Sequence, residues 1–174
     1  MTSRTDALKA QLSGEIVALR RYAFVLTGNR ADAEDLVQDC LTRAIAAAAS
    51  WPGGPNLRRW LFRIMHNAHV SDLRRRRVRA DFDPDLAADP VQPATQPLEM
   101  EAKAVLAALE RLPEPQRQAV ALVAIEGMRY AEAAAILGIP VGTLMSRLAR
   151  GRDALRRSLD AGDAPALRVV RRRP

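Results

Sequence analysis

The chain has 174 residues, 48% of them apolar, and a formal net charge of +7. That suffices for one or two small domains with modest cores, and the basic balance favours a polyanionic partner. No apolar run reaches the roughly 18 residues that span a bilayer, and the N-terminus lacks a signal peptide's apolar centre. A lone cysteine, Cys40, excludes an intramolecular disulfide, so a soluble cytoplasmic protein without membrane insertion is expected.

Leu8, Leu12, Ile16, Leu19, Ala23 and Leu26 recur at three- and four-residue steps and predict an amphipathic helix closed by Gly28. Asn29 can cap the next helix, with Asp32 as the acid of a capping box. That helix carries the stripe Ala33, Leu36, Val37, Cys40, Leu41, Ala44, Ile45 and Ala48, which places Cys40 in the core rather than among nucleophiles. Its other side carries Asp32, Asp35, Gln38 and Asp39, an acidic strip on a basic protein that periodicity alone reads as a solvated face.

Ser50 to Pro55, SWPGGP, is expected to be a turn-forming loop that cannot be helical. A third helix then buries Leu57, Trp60, Leu61, Ile64 and Ala68, while a second stripe runs Arg59, Arg63, Asn67, Val70 and Arg74. From 56 to 80 there are eight arginines against Asp72, a local balance of +7. Trp51 and Phe62 lie beside this basic segment and are candidates to stack on unpaired bases, whereas Trp60 points with the core. His66 and His69 supply two metal ligands at most, so a surface or phosphate-facing role is expected and no cofactor or metal is called for. No catalytic constellation appears, which argues against an enzyme.

Residues 81–98 hold four prolines and four aspartates without periodicity and read as a flexible acidic linker. Helical pattern resumes through Leu98, Ala102, Val105, Leu109 and Leu112, breaks at Pro113-Glu114-Pro115, and continues from Gln116 to Glu126. Ala131 to Leu137 forms a short helix stopped by Gly138, and Pro140 starts a longer one. Val141, Leu144, Leu148, Leu155 and Leu159 fall on one side of it, and Thr143, Ser146, Arg147 and Arg150 on the other. With the small Ala134 at the crossing, this is the spacing of a helix-turn-helix whose outer face can meet bases and phosphates in a major groove. Ala161 to Pro174 reads as a basic tail. The expected architecture is all-α: small helical domains over 5–80 and 98–160, joined by the linker over 81–97 and followed by the tail over 161–174.

These residues resemble bacterial sigma factors of the extracytoplasmic-function (ECF) type, which consist of domains two and four. DAEDLVQDCLTRAI (32–45) is similar to region 2.2 and LRRWLFRIMHNAHVSDLRRRR (57–77) to regions 2.3 and 2.4. LPEPQRQAVALVAIEGMRYAEAAAILGIPVGTLMSRLARGRDALR (112–156) is similar to region four, with Ala133 where isoleucine is commoner. The linker leaves no room for a domain three, and neither an acidic region-one domain nor a C-terminal regulatory domain is expected.

The resemblance implies a non-catalytic subunit that directs RNA polymerase core to promoters and assists their opening, in a stress or envelope response. It turns the acidic strip into a docking surface, with Asp35, Gln38 and Asp39 on the beta-prime clamp helices. The second domain would meet the beta flap, and an anti-sigma factor is a further partner. It assigns Trp51, Asn56, Arg59, Arg63, Asn67 and Arg74 to recognition and melting of the minus-ten element, with capture of an extruded base. Thr143, Ser146, Arg147 and Arg150 become the minus-thirty-five readers. The rival reading is a free-standing helix-turn-helix regulator that binds duplex DNA unaided. It accounts for the second domain but leaves the acidic strip and the tryptophan-bearing loop without a purpose.

Overall fold

A computed structural model of the chain describes residues 4–51, 53–82 and 100–160. These residues are helical throughout, forming eight α-helices joined by short turns. The expected first helix divides into α1 (Arg4–Leu12) and α2 (Ile16–Thr27) at a 3-10 turn, Ser13–Glu15. Ser13 and Gly14 are weak helix formers, and the tighter turn relieves them without breaking the path of the chain. α2 stops at Gly28, whose φ of 75° is open to glycine, and its N–H bonds the Phe24 carbonyl at 2.9 Å.

Asn29 caps α3 (Arg30–Ala46): its Oδ1 accepts from the Asp32 N–H at 2.8 Å. The return bond runs from the Asn29 side-chain amide to the Asp32 carboxylate at 2.9 Å, so the expected capping box closes between side chains. Ala33, Leu36, Val37, Cys40 and Ala44 are buried against α2 and the helix that follows. The stripe is narrower than the periodicity suggested, since Leu41 is half-buried and Ile45 is exposed.

The loop after α3 contains two 3-10 turns, Ala48–Ser50 and Gly54–Asn56, so it is not free of helical turns as expected. α4 (Leu57–Phe82) is 26 residues long and extends two residues into the segment read as linker. The rest of that linker, and the tail, lie outside the described residues. α4 packs against α2, α3 and α7, so its buried arc exceeds a single amphipathic stripe. It takes in Phe62 and Met65 besides Leu57, Trp60, Leu61 and Ala68. Phe62 is fully buried and stacks on Tyr22 with ring centroids 5.1 Å apart.

The second half contains α5 (Met100–Glu110), α6 (Glu114–Val120), α7 (Tyr130–Leu137) and α8 (Val141–Asp160). Pro113 caps α6, and Pro115 sits in its first turn, where a missing N–H costs nothing; the helix therefore starts before Gln116. α6 then widens into a π-helical turn, Ala121–Ile125, with the Glu126 N–H reaching the Ala121 carbonyl at 2.9 Å. Gly138, with φ 63°, ends α7, and α8 leaves at 99° to it, the angle of a helix-turn-helix. Ala134 is buried at the crossing, and Leu144 and Leu148 seat α8; Val141, expected on the buried side, is exposed at the helix start. Ala133, the departure from the family pattern, is fully buried.

The two halves do not close on separate cores. Leu19, Tyr22, Phe62 and Met65 of the first half share one cluster with Leu122, Met128, Ile136 and Leu144 of the second. A smaller cluster of Leu109, Leu112, Val120 and Leu148 belongs to the second half alone. Arg117 adds a polar tie by donating to the Leu26 carbonyl at the end of α2 over 3.4 Å.

Candidate nucleic-acid interface

Helical geometry puts Arg59, Arg63, Asn67 and Arg74 along one exposed line of α4, and Asn56 is exposed just before it. A cleft of about 310 Å³ brings part of this set together: Ser50, Asn56, Arg59, Trp60 and Arg63 form one wall, Ala135 and Ile136 of α7 the other. Asn67 and Arg74 do not line it, since Arg74 stands eleven residues, or about 16 Å, beyond Arg63 along the helix. Trp51 is only 5% exposed, so its ring is not offered to a base as expected; the same holds for Phe62. Both rings are drawn in because α4 and its leading loop are covered from several sides at once.

On α8, Arg150 is exposed while Thr143, Ser146 and Arg147 are half-buried. The Ser146 hydroxyl donates to the Thr143 carbonyl at 2.9 Å. Arg147 and Arg150 form no ion pair among the described residues, which leaves both guanidinium groups available to an external acceptor.

The acidic strip is also presented outward. Asp35 and Gln38 are exposed, and Asp39 is tied to Arg43 at 2.8 Å, a bond that holds the guanidinium charged and raises its pKa. Asp32, Asp35, Asp39 and Asp72 line a second cleft of about 220 Å³ beside Arg75 and Arg76. Arg76 crosses it, bonded to Asp72 at 2.6 Å and facing Asp32 at 3.6 Å.

His66 and His69 are buried, which overturns the expected surface or phosphate-facing role. They are covered by the second half. His69 Nε2 lies 2.9 Å from Glu114 Oε1, which also accepts from the Gln118 side chain at 2.8 Å. Burial pushes both imidazoles down, His66 to about 4, and outweighs the Glu114 carboxylate at His69. At neutral pH the His69 contact is therefore a hydrogen bond from an uncharged ring. Cys40 is buried with Sγ 3.5 Å from the Leu61 carbonyl, and burial pushes its thiol up to about 12, in keeping with a core residue.

Sequence reasoning passed over Arg21, Arg58, Glu114 and Glu126, the polar groups that join the halves. Glu126 has a fully buried side chain that accepts from Arg21 Nε at 2.6 Å, Arg21 Nη2 at 2.8 Å and Arg58 Nη2 at 2.5 Å. The Arg58 guanidinium also lies over the Phe62 ring, 5.6 Å from its centroid. A signal was present: Glu126 closes the apolar run 119–125 directly before Gly127, where an uncompensated carboxylate has no reason to be buried.

Comparison with known proteins places both halves. Residues 12–66 match the model for the Sigma2 domain of PhyR, and residues 102–155 match that for Sigma-70, region 4. The chain is 41% identical over 152 residues to the ECF RNA polymerase sigma factor EcfG of Rhodopseudomonas palustris (strain TIE-1), covering 87% of this chain and 84% of that one. It is 38% identical over 143 residues to the ECF RNA polymerase sigma factor SigM of Mycobacterium tuberculosis (strain ATCC 25618 / H37Rv), covering 81% and 71%. Among solved structures it resembles the sigma factor RpoE in complex with the anti-sigma factor NepR from Bartonella quintana, with 34% identity, a TM-score of 0.74, and 88% and 97% of the two chains covered. It also resembles CnrH in complex with the cytosolic domain of CnrY, at 30% identity and a TM-score of 0.68, covering 91% and 90%.

Proposed function

The chain belongs to the ECF RNA polymerase sigma factors, and on that premise we propose that it carries core polymerase to particular promoters and helps to open them. The observation that carries the reading is the pairing on two packed helices: α3 presents the acidic strip while α4 presents the basic stripe. A protein that only bound DNA would gain nothing from exposed carboxylates beside its binding face.

In this reading Asp35, Gln38 and Asp39 meet the beta-prime clamp helices, and the α5–α8 half meets the beta flap. Asn56, Arg59, Arg63, Asn67 and Arg74 engage the minus-ten element, with Asn67 offering both donor and acceptor to an extruded base. Trp51 supports the loop from below instead of stacking on that base. Thr143, Ser146, Arg147 and Arg150 read the minus-thirty-five element, with the arginines matched to guanine edges or phosphate. Residues 5–80 and 98–160 are the two working units. The protein acts in the cytoplasm, has no catalysis of its own, answers a stress or envelope signal, and is held in reserve by an anti-sigma factor.

Run-off transcription with purified core polymerase on genomic fragments tests the reading. Discrete transcripts are expected only when the protein is added. Tight duplex binding without core, together with no new transcript, would replace it with the free-standing regulator.

A further inference from the structure

We propose that Glu126 is a latch between the two halves, keeping the free protein closed with α7 over the Arg59–Arg63 cleft. The inference rests on the promoter-opening role given to that cleft above. Glu126 belongs to the second half, whereas Arg21 comes from α2 and Arg58 from α4 of the first half. One carboxylate thus receives three N–H bonds from two guanidinium groups across the junction. Charge-assisted, bidentate bonds of this kind are the strong ones, and the carboxylate has no water to fall back on while its side chain is 0% exposed.

The backbone is shaped for this contact. The π turn over Ala121–Ile125 fits an extra residue into the helix just before Glu126, turning the following side chain by about 100° relative to an unbroken α-helix. Such turns cluster at functional positions, and here the consequence is a carboxylate aimed at the other half.

The latch lies beside the basic stripe. Arg58 is the immediate neighbour of Arg59, and the segment that follows Glu126 leads into α7, whose Ala135 and Ile136 wall the cleft. A strand laid along Arg59 and Arg63 needs the space that α7 occupies. The arginines, unlike Glu126, are 47% and 39% exposed, so competing anions can reach them from solvent. Nucleic-acid phosphate offers the same acceptor chemistry as the Glu126 carboxylate and can take over both guanidinium groups as the halves part.

The test uses the full chain without polymerase. Small-angle X-ray scattering is compared for the wild type, Glu126→Gln, and the double variant Arg21→Ala with Arg58→Ala, with far-UV circular dichroism on each. Both variants should keep their helicity and become more extended, with the closed-to-open ratio falling about tenfold or more, as for truncating one partner of a buried charge pair. A fluorescein-labelled single-stranded 15-mer of mixed sequence should bind Glu126→Gln severalfold more tightly than wild type. Unchanged scattering with intact helicity would overturn the latch. Opening without a gain in oligonucleotide affinity would overturn the masking of the cleft. If Glu126→Gln loses helicity, the arginine variant decides, because it removes only half-exposed side chains. Scattering reads the free chain, so it decides the latch independently of whether run-off transcription upholds the promoter reading.

Discussion

Gly151 of α8 passes so close to α6 that a Cβ on it would fall 2.8 Å from Val120 Cγ2 and 3.4 Å from the Gln116 carbonyl oxygen. This contact lies in the packing of α8 against α6, and it opposes two effects of comparable size. Alanine in place of glycine favours a helix by about 1 kcal/mol, while overpacking a close contact costs about 1–3 kcal/mol. Since the blocking γ-methyl belongs to a buried, β-branched side chain that cannot readily swing away, Gly151→Ala should lower stability by about 1 kcal/mol net. In a Val120→Ala background, where the nearest methyl is gone, the same change should become neutral or stabilising. Urea unfolding of the four proteins checks both; Gly151→Ala as stable as wild type would mean that α6 and α8 can give way at this contact without cost.

Burial of His66 makes stability depend on pH. Its folded pKa is lowered from 6.5 to about 4, so between these values the unfolded chain binds a proton that the folded chain refuses. Stability is therefore undiminished above pH 6.5, falls as pH drops below it, and levels off only near the folded value. At about 1.36 kcal/mol per pH unit, His66 alone removes about 2 kcal/mol between pH 6.5 and pH 5. His66→Leu should flatten this part of the profile without the charge. Parallel profiles for wild type and variant over that window would rule His66 out as the cause.

The helix-turn-helix was legible because its determinants are local: Gly138 with positive φ, Ala134 at the crossing, and Leu144 and Leu148 one turn apart on α8. The exposed stripes of α3 and α4 were legible for the same reason, as a helix turns its residues outward by a fixed angle. What could not be read was the packing of one half on the other. Periodicity reports one buried arc per helix, and α4 has a wider one, so Phe62 appeared free to stack on a base when it stacks on Tyr22 instead. The partners of His69 and Arg21 lie 45 and 105 residues away, and no spacing rule joins such pairs. Buried charges among apolar neighbours were the one available sign, and Glu126 carried it.

The acidic strip gives a prediction about core polymerase. Asp35→Arg with Asp39→Arg turns opposing charges into like charges at the proposed interface, which should weaken the complex with core by about tenfold or more. Folding should survive. Asp35 makes no ion pair among the described residues, and the exposed Asp39–Arg43 pair is worth about 0.5 kcal/mol at most. A pull-down in which the folded double variant binds core as well as wild type would refute the docking role.

Asn67 separates recognition of intact DNA from its opening. It is exposed on α4 one turn beyond Arg63 and has no hydrogen bond among the described residues, so its amide is free to meet a partner from outside. An extruded base loses a few kcal/mol of stacking and pairing, which a pocket must restore through hydrogen bonds to its edge. Asn67→Ala removes one donor and one acceptor from that role but leaves Arg59, Arg63 and Arg74 to hold phosphates. Binding of holoenzyme to closed duplex should therefore stay within about twofold, since phosphate contacts supply most of that affinity. Open-complex formation, followed by permanganate reactivity of unpaired thymines, should drop about tenfold, the scale of one good base contact. A template premelted over the minus-ten element should recover most of the loss, because unpairing is then already complete. Equal defects on duplex and premelted templates would make Asn67 a structural residue of α4 and not a reader of the opened strand.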